Sequence, residues 1–212
     1  MNRRFLPWIL FTLCLSGVAG AQSASPAPSA RPGRPALLSE SMTPPWLPRG
    51  AFVGTFIRDG AIVPEVRLHW QLLFYQGRRD TLGLFIEPMA AFAAVKPDTV
   101  VEGATVPLTQ LQLYSLQFAV GYTARREGGL EWGFQLGTGP AWFRARFEGG
   151  SKDAESYWVG LLDGRLRLGY RLGGKVGVGV AVGYGDPYNY KRASLARPYV
   201  GGLQLGLYAD WR

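Results

Sequence analysis

The sequence predicts an all-β fold, an eight-stranded antiparallel transmembrane up-and-down β-barrel. Three observations carry that expectation. From Gly50 onward the chain alternates with period two and shows no convincing helical period. Its connections alternate between tight turns and longer loops. Its aromatic residues gather in two rows, one at each end of the strands.

The chain begins with a stretch that reads as a secretory signal, Met1 to Ala21. Arg3 and Arg4 form the charged start, Phe5 to Val18 the apolar run, and Ala19-Gly20-Ala21 the small-residue cleavage site. The run falls short of the roughly 20 residues a spanning helix needs. The single cysteine, Cys14, lies inside this segment, so the mature chain has neither disulfides nor thiolate metal sites. Removing the signal takes away two arginines and no acids, which lowers the formal charge from +8 to +6. The remaining bases are scattered over turns and loops without a stripe, which argues against nucleic acid as a partner. Residues 22–48 hold seven of the fifteen prolines among alanines and serines. Such a segment buries too little apolar surface to fold and is expected to be a disordered periplasmic tether. The barrel is expected to occupy residues 49–212.

Eight strands follow. A less regular one lies near Ala51 to Arg58. In the second, Val66, Leu68, Trp70, Leu72 and Phe74 share a face. Leu82, Leu84, Ile86, Ala90 and Phe92 define the third, and Tyr114, Leu116, Phe118, Val120 and Tyr122 the fourth. The fifth carries Leu130, Trp132, Phe134 and Leu136, and the sixth Trp158, Leu162, Leu166, Leu168 and Tyr170. In the seventh, Val176, Val178, Val180, Val182 and Tyr184 alternate with glycine and alanine only. The eighth runs through Tyr199, Leu203, Leu205, Leu207, Ala209 and Trp211.

Residues 77–80, 124–129 and 173–175 read as tight turns, and 96–107, 147–156 and 185–197 as long loops; the link at 59–64 is short. In transmembrane barrels short turns face the periplasm and long loops the outside. Phe74, Tyr122, Trp132, Tyr170 and Trp211 fall at the short-turn ends. Phe92, Tyr114, Trp142, Trp158, Tyr184 and Tyr199 fall at the long-loop ends. Rings with one apolar and one wet edge settle at membrane interfaces, so the two rows read as interfacial girdles.

The valine face then meets lipid, and the glycine face meets a lumen that eight strands leave barely wide enough for side chains. The same parity turns Glu65, Arg67, Glu87, Glu131, Asp163, Arg165 and Arg167 inward. Charges in so narrow a space must pair, which predicts a lumenal ion-pair network that closes the pore. Above the outer girdle lie Arg144, Arg146, Lys191, Arg192 and Arg197. Guanidinium and ammonium groups at that height are expected to contact lipopolysaccharide phosphates.

Residues 22–212 resemble the small eight-stranded outer-membrane proteins, the group of the OmpA transmembrane domain, OmpX and OmpW. The C-terminal LQLGLYADWR resembles the aromatic-ended signal of such barrels, although Trp211 is penultimate and Arg212 follows it. The resemblance implies a bacterial outer-membrane location, outer-membrane lipid as surroundings, and insertion by the outer-membrane assembly machinery as a monomer. Barrels of this size include enzymes that modify lipid A. Their deacylases carry His and Ser two residues apart on one face, but here Gln71 follows His69 at that spacing. The palmitoyltransferases use a downstream Asp-Ser pair, which this chain lacks. His69, the only histidine, is therefore expected to be a hydrogen-bonded interior residue. No catalytic, cofactor-binding or metal site is expected, and no cofactor. The expected role is a non-enzymatic envelope-structural or surface-interaction barrel. A narrow passage for small apolar molecules comes next, and a lipid A-modifying enzyme last.

Overall fold

A computed structural model describes residues 46–77, 79–93, 98–101, 104–147, 154–189, 197 and 199–211. The expected signal and most of the tether lie outside these residues. Among the described residues there are nine strands: β1 Gly50–Arg58, β2 Ala61–Gln76, β3 Asp80–Phe92, β4 Asp98–Val101, β5 Ala104–Arg125, β6 Leu130–Phe147, β7 Ala154–Leu172, β8 Val176–Tyr188 and β9 Gly202–Trp211. Eight of them form the wall. Each wall strand pairs antiparallel with the next, β3 passing directly to β5, and β1 pairs with β9 from Gly50↔Asp210 to Ile57↔Leu203 to close the ring. The result is a closed eight-stranded antiparallel barrel, the fold the alternation predicts.

The ninth strand is a correction to the loop expected at 96–107. Asp98–Val101 pairs only with the start of β5, Val101↔Ala104 to Asp98↔Pro107, and extends that wall as a hairpin. The other loops are also shorter than expected, because Ala154 to Ser156 belong to β7 and Gly185 to Tyr188 to β8. The 59–64 link reduces to two residues. Asp59 and Gly60 both take positive φ, 45° and 82°, the geometry of a two-residue hairpin whose twist matches the strands. With 22, 18 and 19 residues, β5, β6 and β7 far exceed the roughly 9–11 that cross a bilayer. These walls project beyond the membrane at the long-loop end.

The outer wall is apolar. Val176, Val178, Val180, Val182 and Tyr184 are all exposed, as are Leu162, Leu166, Leu168, Leu203, Leu205 and Leu207. On the inner side of β8, glycine is required by what packs there. A Cβ on Gly179 would sit 2.8 Å from the Tyr208 ring and closer still to the Leu168 carbonyl oxygen. One on Gly183 would lie 2.7 Å from Cγ of Arg165. The bare face of β8 is thus the space into which large lumenal side chains fold.

The aromatic rows are mostly where alternation puts them. Phe92 meets Tyr114 edge-on at 5.8 Å, Tyr114 stacks on Trp142 at 5.8 Å, and Trp142 pairs in register with Trp158. Tyr184, Trp132 and Tyr170 are exposed. Tyr122 lies 5.9 Å from Trp132, and Trp211 is half-buried at the end of β9. Two members are corrected. A bulge between Gln71 and Leu73 shifts the parity of β2, so Phe74 pairs with the inward Gly83 while Tyr75, opposite Leu82, takes the exposed position. Tyr199 is buried and stacks on Phe143 at 6.3 Å. Gly201 and Gly202, which follow it at φ 87° and 95°, leave it outside the alternation of β9, with its ring turned into the lumen.

Gly179→Val is expected to destabilise the barrel by about 1–3 kcal/mol, the usual cost of overpacking a filled interior. Urea unfolding followed by tryptophan fluorescence in lipid vesicles would show an earlier transition. An unchanged midpoint would mean that the glycine face is not packed.

Candidate functional site: the filled lumen

Inward parity on β2, β3, β5, β6, β7 and β9 brings the ionisable residues together in two layers. The middle layer holds Glu65, Arg67, Glu87, Asp163 and Arg165, all buried, with Gln117, Gln135 and Gln204. Arg67 is its hub. Its Nε donates to Glu65 Oε2 at 2.7 Å, and its Nη1 donates to Asp163 Oδ2 at 2.6 Å and to Gln117 Oε1 at 2.9 Å. Three strands, β2, β5 and β7, meet at the layer through these contacts. Arg165 donates to Glu87, and its Nε lies 3.4 Å from Asp163 Oδ1. Gln135 donates to the other oxygen of Glu87. Phe52 lies under both guanidiniums, 5.3 Å from Cζ of Arg165 and 6.0 Å from that of Arg67, so the cations also rest on an aromatic face.

A second layer lies toward the short turns. Asp210 accepts from Arg167 at 2.9 Å and from Arg171 at 2.7 Å, each on its own oxygen. Oε1 of Glu131 accepts from both Arg171 and Arg125 at 2.7 Å. Arg167 also lies 3.7 Å over the Tyr208 ring. Across the two layers five carboxylates face five guanidiniums, so the network is neutral as well as paired. Buried ions without partners would shed charge or unfold the site, and pairing alone repays only part of their desolvation. Glu65, Arg67, Glu87, Glu131, Asp163, Arg165 and Arg167 all face the lumen, and each makes at least one ion pair. Arg125, Arg171 and Asp210 complete the network and were missed by sequence reasoning. Arg171 shares the parity of Arg167, and Asp210 that of Gln204 and Tyr208. The same alternation could have found both.

His69 sits between the two layers. Its ring meets Phe85 edge-on at 5.7 Å, and Nδ1 lies 3.9 Å from Glu87 Oε1. Below it a cavity of about 50 Å³ opens toward the short turns, lined by Arg49, Gln71, Thr81, Thr123, Arg171 and Asp210 among others. Thr81 and Thr123 are the hydroxyls on that lining; no serine is among them. Among the described residues, no group of three His, Cys, Asp or Glu is placed to hold a metal.

Above the middle layer the lumen changes character. Phe56, Val63, Met89, Leu111, Leu113, Phe143, Leu161, Tyr199 and Val200 form a continuous apolar cluster that fills the long-loop half, with Tyr157 packed against it. Burial raises the Tyr199 phenol above its ordinary range, so it stays a neutral hydroxyl in this septum. The expected rim residues divide. Arg144 and Arg146 lie on the outer face of β6. Arg197 is engaged with Asp186 at 3.2 Å, and Lys191 and Arg192 lie outside the described residues.

The closed sheet, the apolar wall and the charge-paired lumen define a small outer-membrane-type β-barrel. No family model matches the chain, and no curated protein matches it. Solved structures similar to it include two at 12% identity. Neisserial surface protein A (NspA) covers 77% of this chain and 94% of its own with a TM-score of 0.41. Ail, the attachment invasion locus protein of Yersinia pestis, covers 76% and 93% with a TM-score of 0.37.

Arg67→Met leaves Glu65 and Asp163 buried without their main partner. It is expected to cost about 3–5 kcal/mol of stability, the range for breaking one side of a buried pair. Arg79→Met removes the exposed Arg79–Glu127 pair and is expected to cost no more than about 1 kcal/mol. Equal losses in urea titrations of the two variants would refute the layered network.

Proposed function

We propose that the protein is a non-catalytic barrel of the bacterial outer membrane with a closed lumen, serving an envelope-structural or surface-interaction role. One observation carries this reading. The lumen is filled along its length by two barriers of different chemistry, the ion-paired layers below and the apolar septum above. The larger lumenal cavity described, about 50 Å³, accommodates little more than a water molecule or two. A solute would have to displace paired charges and then cross a packed hydrocarbon cluster. The barrel's surfaces, rather than its interior, are then what the cell uses.

Purified protein in liposomes is expected to give no swelling with arabinose and no stepwise conductance in planar bilayers. Swelling at the rate of a general porin would overturn the closed-lumen reading. The two barriers also separate by mutation. Arg165→Ala is expected to lower stability yet leave conductance at baseline, because the septum of Leu113, Phe143, Leu161 and Val200 still seals the bore. Combining it with Phe143→Ala is expected to produce measurable conductance. A conducting Arg165→Ala single variant would show that the ion pairs alone hold the barrel shut.

A further inference from the structure

The outer face of β6 is apolar or uncharged from Trp132 through Phe134, Leu136, Thr138 and Pro140 to Trp142, and then carries Arg144 and Arg146. The change coincides with the upper aromatic row. At the same height, register places Gln112 of β5 and Ser156 of β7 on either side of Arg144, and Gln110 beside Arg146. Each of these side chains, Arg144, Arg146, Gln110, Gln112 and Ser156, carries a group able to donate hydrogen bonds. The nearby acid of β7, Glu155, shares the inward parity of Tyr157 and Val159 and so belongs to the mouth of the lumen. Neither guanidinium has an ion-pair or hydrogen-bond partner among the described residues.

The other described bases of the long-loop end differ. Arg58 donates to Asp186 at 2.8 Å, and Arg197 lies 3.2 Å from the second oxygen of the same carboxylate. That cluster satisfies itself. The β6 pair is the part of the described rim where positive charge is left uncompensated against the membrane.

We infer that Arg144 and Arg146, with Gln112 and Ser156, form a docking surface for the phosphate groups of a lipid A-class glycolipid in the outer leaflet. This rests on the outer-membrane reading proposed above. The two arginines are two residues apart on one face, which separates their Cα atoms by about 6–7 Å along the strand. Phosphates at the top of an acylated sugar lie just above the hydrocarbon, the level the Tyr114–Trp142–Trp158 row marks. Guanidinium grips phosphate through parallel hydrogen bonds, and such contacts gain strength at the low-dielectric edge of a bilayer. The amide and hydroxyl neighbours add donors without adding opposing charge. Bound lipid in turn fixes the height of the projecting β5–β7 wall.

The test uses the full mature chain, refolded in detergent and examined by native mass spectrometry. Three lipid probes are compared: bisphosphorylated lipid A, the same lipid with its phosphates removed, and phosphatidylglycerol. Bisphosphorylated lipid A is expected to bind best. The R144Q/R146Q double variant is expected to lose at least about tenfold in affinity for it, the effect of removing roughly 1.4 kcal/mol of charge-assisted hydrogen bonding. An R58Q/R197Q variant is expected to bind as the wild type does. Heat-dependent gel mobility of each variant confirms folding, and its absence in the wild type would instead refute the barrel. If the double variant does not fold, R146Q alone, at the exposed position, carries the comparison. Equal binding of dephosphorylated lipid A, an unaffected double variant, or a matching preference for phosphatidylglycerol would each overturn the inference.

Discussion

The structure depends on one constraint, that a backbone crossing hydrocarbon must satisfy every N–H and C=O from within the protein. A sheet meets it only by having no edge, which is what the pairing of β1 with both β2 and β9 achieves. Closure with eight strands then fixes the bore, and the bore fixes what can point inward. A lumen this narrow cannot hold bulky residues from all strands at one height. Large side chains from some strands are therefore matched by glycine and alanine on others. The Val/Gly alternation of β8 is the clearest instance, with Tyr208 and Arg165 occupying the space that Gly179 and Gly183 leave.

The same constraint explains which parts of the molecule were legible in the sequence. Alternation reports face, so the wall strands and the inward placement of Glu65, Arg67, Glu87, Asp163 and Arg165 could be read directly. It fails wherever parity is reset without a compositional mark. The bulge at Leu72 contains neither glycine nor proline, and nothing in LHWQLLFYQ announces that Tyr75 rather than Phe74 will face lipid. Tyr199 fails for a different reason. The two glycines after it do appear in the sequence, but only their left-handed conformation ends the alternation, and composition does not report φ. The apolar septum escaped because it is assembled from one to a few inward residues on each of six wall strands. None of those strands looks unusual alone.

The two lumenal barriers carry different energetic burdens. Ion pairs in the middle layer hold strands distant in sequence to one another, Arg67 of β2 reaching β5 and β7, but each buried charge must first be desolvated. The layer is thus sensitive to removal of any one partner, while its extra acid is balanced by the extra arginine of the lower layer, which keeps the network neutral as a whole. Apolar packing above it has no such fragility. Loss of one methyl-bearing side chain leaves a cavity, whose cost grows with its volume. A barrel sealed by both is specified by the first and tightened by the second.

On β5, β6 and β7 the two barriers also mark where the surrounding solvent changes. Below the Tyr114–Trp142–Trp158 row the wall is apolar outward, and inward it holds Gln117, Gln135, Asp163 and Arg165. Above the row the assignment inverts: Gln112, Arg144, Arg146 and Ser156 face out, while Leu111, Leu113, Phe143 and Ala145 face in. The lower part obeys the rule for a protein in lipid and the upper part the rule for a small soluble barrel, within the same continuous strands. A single wall can follow both because strand geometry is indifferent to which face is wet, and only side-chain chemistry records it. The excess length of these three strands follows from this inversion. Residues beyond the aromatic row need a hydrophobic core of their own, and the septum supplies it. The septum that closes the bore is therefore the core that stabilises the projecting wall, and on β6 that wall carries Arg144 and Arg146 at the lipid boundary.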